Sequence, residues 1–380
     1  MWYLDSNFLI ILAGTVFFIL CRIIGGSFAA KLRRYLLPVL FFAFILNYSP
    51  VVAAAYSAVL IINYMLVLTL RRLAVSKETR AKRLFIFSII LNSILFILIS
   101  VSPYLSGFWG NISLLGFSYA YLKIVDIFYY AHYFEEDIAP FDFVSFILFV
   151  PTFTAGPILN FSNFKEDLEA ELPPLDLEMP TRRIVIGFFK KVVIVKTLYY
   201  AHDFLLAKNL NPVLSLAVLF LFYIIGYMDF SGYSDIAIGF GKLLGFNVAE
   251  NFKNPFTSPS LTVFWRNWHI SLGEWIKKHI SIFIKPKTRL QSGLSSFIIM
   301  LFIGLWHKFT PLYFLWGLWH GIFLFIEAYF NKGIVNKKKT PRHIYILRCV
   351  LTNLIVTFGC IFFYSDIDTV VRILRGLFFL

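Results

Sequence analysis

The sequence predicts an all-α polytopic integral membrane protein, and three observations support this class. Hydrophobic residues make up 59% of the 380 residues and charged residues only 15%, whereas soluble domains carry about 25% charged residues. Apolar segments long enough to span a bilayer recur from one end of the sequence to the other. Helices are the expected form of these segments, because backbone groups in lipid must find hydrogen-bond partners within their own segment.

The excess of positive charge is consistent with a membrane protein. The net charge is +14, and most Lys and Arg residues cluster in short stretches between apolar segments, as the positive-inside rule predicts. A nucleic-acid partner is therefore not indicated. The three cysteines lie far apart, in or beside apolar segments, which predicts packing and not a zinc site or a disulfide framework. They are Cys21, Cys349 and Cys360.

The first apolar segment, Asn7 to Ile24, lacks a small-residue cleavage pattern. We therefore expect a retained helix and not a signal peptide. A basic loop with Lys31, Arg33 and Arg34 should follow it. The run from Tyr35 to Leu70 should break near Asn47–Pro50, because a residue before proline avoids helical geometry. The other predictions for this part are a cytoplasmic loop over Arg71–Arg83 and a span over Phe85–Ser102.

The middle of the chain combines apolar and charged residues. Lys123 and Asp126, three residues apart in the segment Gly116–Phe134, are expected to pair on one helix face. The motif PTFTAGPI should interrupt the segment Phe141–Phe164. Three further segments are predicted: an exposed acidic loop over 165–180, an interfacial helix over 182–207 whose lysines reach the headgroups, and a span over Asn211–Gly226 followed by YMDFSGYSDIAIGFGKLLGF.

The last third of the chain predicts a helical hairpin. Two basic stretches, 277–289 and 332–342, enclose the apolar run Leu294–Phe330. If both stretches face the cytoplasm, the run must cross and return with a turn near Thr310–Pro311. Before it, Ser258–Pro259 is expected to begin one helix, interfacial or re-entrant, that continues to Ile284. A final span is predicted over Ile344–Tyr364, with no soluble domain after it.

Three histidines, His269, His307 and His320, lie among tryptophans in these apolar segments. An ionisable side chain at membrane depth is costly and by default marks a site. Zinc binding is disfavoured, because the histidines are far apart in sequence and have no Cys or Asp beside them. A general base suits them better, since imidazole titrates nearest neutral pH. Structural roles are expected for the other four histidines: His132, His202, His279 and His343.

Five motifs resemble those of the membrane-bound O-acyltransferase family. They are PTFTAGPI, DFSGYSDIAIG, ENFKNPF, FWRNWHISL and GLWHK…LWGLWHG, which together cover roughly the last two thirds of the chain. The resemblance implies a ring of about ten or eleven helices, some of them re-entrant, around a central tunnel. It also implies a single domain over residues 1–380, with less specific N-terminal helices in 1–110 and the motif-bearing catalytic core in 111–380.

The resemblance also implies roles for individual residues. The principal catalytic histidine of the family falls on His307 and its second active-site polar position on His269, while His320 matches a position that recurs in the bacterial branch. The chain departs from the family at Lys308, where glycine is usual after the catalytic histidine. The side chains expected to support the tunnel, besides His320, are Trp306, Trp268, Asn267, Tyr233 and Asp235.

The implied activity is an O-acyl transfer in the inner membrane of a bacterial cell. An acyl group, preferably acetyl, would pass from a cytoplasmic thioester donor, acetyl-CoA or an acyl-carrier protein phosphopantetheine, to an extracytoplasmic polymer or partner protein. His307 should lie towards the outer face and His269 on the donor side. A secreted or membrane-tethered transfer partner is expected, but no bound cofactor or metal. Three alternatives remain open: D-alanyl transfer to teichoic-acid-type polymers, a transporter using Lys123, Asp126 and the histidines, and a non-catalytic scaffold.

Overall fold

The computed structural model describes residues 8–104, 115–134, 136–337, 340–364 and 366–378. These residues are mostly helical, and the one β-type pairing among them is an isolated bridge between Phe252 and Trp268. The predicted all-α class is therefore confirmed. The predicted boundary between residues 110 and 111 lies outside the described residues, as does Asn7 at the start of the first apolar segment.

The α-helices are numbered in chain order, and short 3₁₀ or π-helical turns extend several of them. The first nine are α1 (Phe8–Ile24), α2 (Gly26–Tyr48), α3 (Pro50–Ser76), α4 (Glu78–Val101), α5 (Phe117–Tyr133), α6 (Pro140–Ile147), α7 (Phe161–Glu169), α8 (Glu178–Phe188) and α9 (Val195–Leu206). The others are α10 (Pro212–Leu243), α11 (Leu261–Asn267), α12 (Ile270–Ile276), α13 (Arg289–His307), α14 (Pro311–Tyr329), α15 (Arg342–Gly359) and α16 (Ile367–Phe378).

Within the described residues, six helical segments are long and apolar enough to cross a membrane. Their apolar length matches the hydrocarbon core, which needs about 20 residues of helix. Together with the absence of strands from the described ranges, they confirm a polytopic membrane protein. The six segments are Pro50–Ala74, Glu78–Tyr104, Pro212–Leu243, Arg289–His307, Pro311–Tyr329 and Arg342–Phe363.

The two basic loops predicted in the first half are helical instead. Lys31, Arg33 and Arg34 lie within α2, and Lys77 alone separates α3 from α4. Long cationic side chains do not break a helix, so their charge alone did not mark a loop. The break before Pro50 is confirmed, and the hydroxyl of Ser49 caps α3 by accepting from the Val52 amide at 3.3 Å.

By its internal contacts the chain divides into two compact units, residues 1–185 with 235–249 and residues 186–234 with 250–380. In the first unit the fully buried Arg33 binds backbone carbonyl groups of Asp167, Leu168 and Gly245 at 2.5, 2.9 and 2.9 Å. Burial lowers the pKa of Arg33 to about 10 and the Asp167 charge opposes this, so the guanidinium is charged at neutral pH.

Two further predictions concern the first unit. The PTFTAGPI motif interrupts the helical structure as predicted, with a short 3₁₀ turn over Val150–Thr152 and Gly156 at φ 100°. Lys123 and Asp126 are both buried, and each has a partner outside its own helix. Lys123 donates to the Ile147 carbonyl at 3.4 Å, and Asp126 accepts from the Phe161 amide at 2.6 Å, which caps α7.

The second unit contains the α13–α14 hairpin, whose two helices touch at their glycines. A Cβ atom added to Gly317 would lie 2.6 Å from the Met300 carbonyl oxygen and 3.0 Å from the Leu301 Cα. Backbone atoms cannot move aside as a side-chain tip can, so this crossing requires glycine. Small residues at such crossings let membrane helices approach closely.

We expect Gly317→Ala to separate the hairpin helices and to destabilise the protein by about 1–3 kcal/mol, the usual cost of overpacking. Thermal unfolding of the purified protein in detergent measures the effect. Gly226→Ala is the matched control, because a Cβ at Gly226 in α10 would meet no atom within 4 Å. An unchanged melting temperature for Gly317→Ala would contradict the close contact.

Candidate active site

The predicted hairpin is confirmed, and it fixes the positions of two histidines. Thr288 caps α13 through a reciprocal capping box with Gln291, and Thr310 caps α14 with Pro311 as its first residue. His307 is the last residue of α13, immediately before the turn. His320 lies midway along the returning helix α14.

The segment from Ser258 to Ile284, predicted as one continuous helix, is instead broken at the third histidine. Helix α11 ends at Asn267 and α12 begins at Ile270, and between them His269 adopts a left-handed backbone with φ 50° and ψ 51°. Ser260, and not Ser258, caps α11. A non-glycine residue in this conformation is uncommon and costs about 1–3 kcal/mol, so the surrounding structure must hold it there.

All three histidines line one cavity of about 500 Å³ within the second unit. His269 and His320 are buried, whereas His307 exposes its side chain to the cavity. Most of the wall is aromatic or aliphatic. Among the described lining residues Asp229 is the one carboxylate, and none is a lysine or an arginine. A largely apolar pocket with a few convergent polar groups is the usual form of a ligand site.

The rings of His269 and His307 lie close together. Their centroids are 6.3 Å apart and their planes are inclined by 40°. Trp306 contacts both rings, with centroid distances of 6.3 and 4.8 Å. Two imidazoles this close together are candidates for a base and a second polarising group.

His320 lies further along the same wall. The ring of Trp316 contacts His307 at 5.8 Å and His320 at 4.9 Å, and so connects them through an aromatic side chain. Trp265 packs edge-on against both Trp316 and His320. This arrangement suits His320 for shaping the cavity next to the His269–His307 pair.

The buried histidines carry ring nitrogens whose hydrogen-bonding capacity is not satisfied by the described residues. Neither ring nitrogen of His269 has a hydrogen-bond partner among the described residues, and the same holds for Nδ1 of His320. Burial lowers the pKa of His269 well below its ordinary value, and the nearby His307 lowers it further. The His269 imidazole is therefore neutral at physiological pH, the form that can accept a proton. The described residues contain no cluster of His, Cys, Asp and Glu suited to a metal ion.

The cavity carboxylate is balanced by a buried cation. Asp229 forms an ion pair with Lys191, which lies on the π-helical turn Phe189–Ile194 between α8 and α9. Burial lowers the pKa of Lys191, and the Asp229 charge opposes this. Lys191 thus does not extend to the headgroups as predicted for the lysines of 182–207. Its charge compensates a carboxylate that faces the cavity, and π-helical turns often occur at functional sites.

The other predicted tunnel residues occupy different places. Trp268 lines the cavity, and Trp306 packs against the two catalytic candidates without itself lining the cavity. Asn267 donates to the Ser258 hydroxyl at 3.3 Å, Tyr233 is buried with Lys191 over its ring, and Asp235 forms an ion pair with Arg183 in the first unit. None of these last three lines the cavity.

Several residues that line the cavity were not predicted from the sequence. Helix α10 is continuous over 32 residues, and Phe222, Gly226 and Asp229 recur on it at helical spacing, which marks a face that lines the cavity. That spacing could have favoured Asp229 over Asp235. Cys360, expected only to pack, also lines the cavity. The remaining lining residues that were not predicted include Trp265, Tyr313, Trp316 and Phe363.

Comparison with known proteins places the chain among acyltransferases. It is 38% identical over 230 residues to the probable alginate O-acetylase of Pseudomonas syringae pv. tomato, covering 59% of this chain and 43% of that protein. It is 31% identical over 268 residues to the teichoic acid D-alanyltransferase of Streptococcus thermophilus, covering 64% of this chain and 63% of that protein. It is 28% identical over 246 residues to the peptidoglycan O-acetyltransferase of Helicobacter pylori, covering 62% of this chain and 46% of that protein.

The matches span about half to two thirds of the length of these relatives. A sequence model of the membrane-bound O-acyltransferase (MBOAT) family matches residues 57–365. That range is more than half of the chain and includes every motif on which the resemblance was based. The chain therefore belongs to the membrane-bound O-acyltransferase family.

Proposed function

We propose that this protein moves an acyl group, acetyl, from a cytoplasmic thioester donor to a hydroxyl group of an extracytoplasmic polysaccharide or partner protein. The observation that carries the proposal is the 6.3 Å pairing of the His269 and His307 rings in an apolar cavity. Such a site excludes water and strengthens the polar contacts that a reacting ester makes. The proposed location is the inner membrane of a bacterial cell, with a secreted or tethered protein completing delivery to the polymer.

In the proposed mechanism, His307 acts as general base. Its side chain is open to the cavity, and as a neutral imidazole it takes the proton of the acceptor hydroxyl while the oxygen attacks the thioester carbonyl. The tetrahedral intermediate then collapses, the carbon–sulfur bond breaks, and the proton on His307 passes to the departing thiolate. His269 lies on the opposite side of the reacting group, where it orients the ester or stabilises the developing oxyanion.

The form of the cavity supports a pantetheine-type donor. With no lysine or arginine among the described lining residues, the wall suits the acyl group and the uncharged arm of a thioester better than nucleotide phosphates. Phosphates are bound by cationic side chains or by backbone amides at helix starts. The phosphorylated end of acetyl-CoA, or a carrier protein, would thus remain outside the cavity.

Two observations favour acetyl over D-alanyl. The alginate O-acetylase relative is more identical than the D-alanyltransferase relative, and the charge of Asp229 is already matched by Lys191, so an ammonium group entering the cavity would find no uncompensated carboxylate there. D-alanyl transfer is the second candidate. The D-alanyltransferase match extends over the larger share of the relative, 63% against 43%.

Thioester consumption by the purified protein in detergent tests the proposal. Acetyl-CoA and a D-alanyl carrier protein are supplied separately, and free thiol is measured with and without a hydroxyl polymer. Thiol release from acetyl-CoA supports the proposal, and release from the D-alanyl carrier alone replaces acetyl with the second candidate. Inertness towards both donors would contradict the enzyme proposal and favour a transporter or a scaffold.

A further inference from the structure

The left-handed backbone of His269 is held by a short segment that has no part in the mechanism above. Residues 251–253 run antiparallel to 267–271, with the bridge between Phe252 and Trp268 at their centre. On one side of His269, the Lys253 amide donates to the Asn267 carbonyl at 3.0 Å. On the other, the Ile270 amide donates to the Asn251 carbonyl at 3.1 Å. The two bonds fix the chain immediately before and after the histidine.

The side chain of Asn251 adds a second set of contacts. Its Oδ1 atom accepts from the Ser271 hydroxyl at 2.6 Å and from the Ser271 amide at 3.2 Å. Its Nδ2 atom donates to the Ser234 hydroxyl on α10 at 3.4 Å. Asn251 is fully buried, so these contacts form away from water. One side chain therefore ties the start of α12 to α10.

Aromatic side chains of α10 and of the segment 251–253 restrain the ring of His269. Phe230 packs edge-on against it at a centroid distance of 4.7 Å, and Phe252 packs edge-on against Phe230 at 5.2 Å. Because neither His269 ring nitrogen has a hydrogen-bond partner among the described residues, no polar contact of the ring itself sets its direction. The backbone conformation and the aromatic packing must do so.

We propose that Asn251 is a positioning residue for the reaction, which holds His269 in its left-handed conformation and so directs the imidazole towards His307. The inference rests on the proposed function, since it assigns Asn251 a role through His269. A reacting group displaced by about 1 Å can lose about a hundredfold in rate. Without the side chain of Asn251 the two main-chain bonds remain, but Ser271 at the start of α12 loses its connection to Ser234 on α10. The His269 ring between them can then shift away from His307.

The test compares Asn251→Ala with Asn251→Asp in the full chain, with acetyl-CoA as donor. We expect kcat of Asn251→Ala to fall by about a hundredfold while KM for the donor changes less than about threefold, as for a misdirected catalytic group. The aspartate variant keeps the Oδ acceptors for Ser271 and should retain most of the activity. If Asn251→Ala does not fold, Ser271→Ala removes the 2.6 Å bond alone and should give a smaller loss of kcat.

A second readout is independent of turnover. Diethyl pyrocarbonate modifies accessible neutral imidazoles, and mass spectrometry gives its rate at each histidine. In Asn251→Ala the rate at His269 should change several-fold relative to that at His307. Asn92→Ala is the control. Asn92 is also buried and donates to the Asn63 side chain and the Ser88 carbonyl at 2.8 and 2.9 Å, and it belongs to the first unit.

Wild-type kcat and unchanged His269 reactivity in Asn251→Ala would overturn the positioning role. If His307→Ala is inactive in that case, the proposed function stands without it. If the wild-type protein consumes no thioester, the proposed function fails, and the His269 reactivity still decides whether Asn251 holds the histidine.

Discussion

Replacement of His307 by alanine is expected to lower the rate of acyl transfer by about 10²–10⁴, the range that a general base contributes. His307 lies at the end of α13 with its side chain exposed to the cavity. Its removal therefore leaves no large packing defect, and expression and melting temperature should stay near those of the wild type. The loss should appear in kcat more than in KM, because the proton transfer occurs only in the transition state.

Two companion variants make the result specific. His307→Gln keeps a polar side chain but cannot take a proton at neutral pH, so it should be as inactive as His307→Ala. His132→Ala removes a half-buried histidine of the first unit whose ring stacks on Phe85 at 4.8 Å, and it should leave transfer unchanged. Full activity in His307→Ala would exclude His307 as the base. A loss of transfer in all three variants would point to a general defect.

The second large effect concerns stability and not chemistry. Arg33→Ala is expected to destabilise the protein by roughly 3 kcal/mol or more, since several buried carbonyl groups lose a charged donor at once. The guanidinium binds the ends of two helices, the carbonyls of Asp167 and Leu168 in α7 and of Gly245 just after α10. It also lies over the ring of Phe246 at 4.9 Å.

Unfolding in detergent, followed by tryptophan fluorescence and by circular dichroism, measures this effect. Arg33→Lys should lie between the wild type and Arg33→Ala, because an ammonium group cannot reach as many carbonyls as the forked guanidinium. Lys31→Ala is the matched control, since Lys31 is an exposed cation two residues earlier on the same helix. A melting temperature of Arg33→Ala equal to that of Lys31→Ala would show that the carbonyls are satisfied without Arg33.

The sequence was most informative where local chemistry decides the structure. The turn at Thr310–Pro311 was predictable because proline and a capping threonine act within a few residues. The loops assigned around Arg33 and Arg71 were wrong, because basic charge marks where a chain lies relative to a membrane and does not require it to leave the helix. The partners that bury Arg33 come from residues more than 100 positions away, which no local pattern reveals.

In the candidate site, too, features that depend on nearby residues were predictable and those that depend on distant residues were not. The family motifs indicated His269, His307 and His320, and the structure places all three around one cavity. The left-handed conformation of His269 was not predictable from FWRNWHISL, because it depends on pairing with residues 251–253. Asp229 was not among the predicted site residues, although its helical spacing from Phe222 and Gly226 indicates a shared face of α10.

The compensated charge of Asp229 has a consequence for energetics across the membrane. Moving one elementary charge through the full membrane potential changes the free energy by about 2.3 kcal/mol per 100 mV. An acetyl group is neutral, so under the proposed function, with Asp229 paired to Lys191, its passage would displace no net charge. In vesicles, the rate of acetyl transfer should therefore be independent of an imposed potassium-diffusion potential. Transfer of a D-alanyl group, which carries an ammonium ion, should respond to the sign of that potential, and such a response would contradict acetyl as the acyl group.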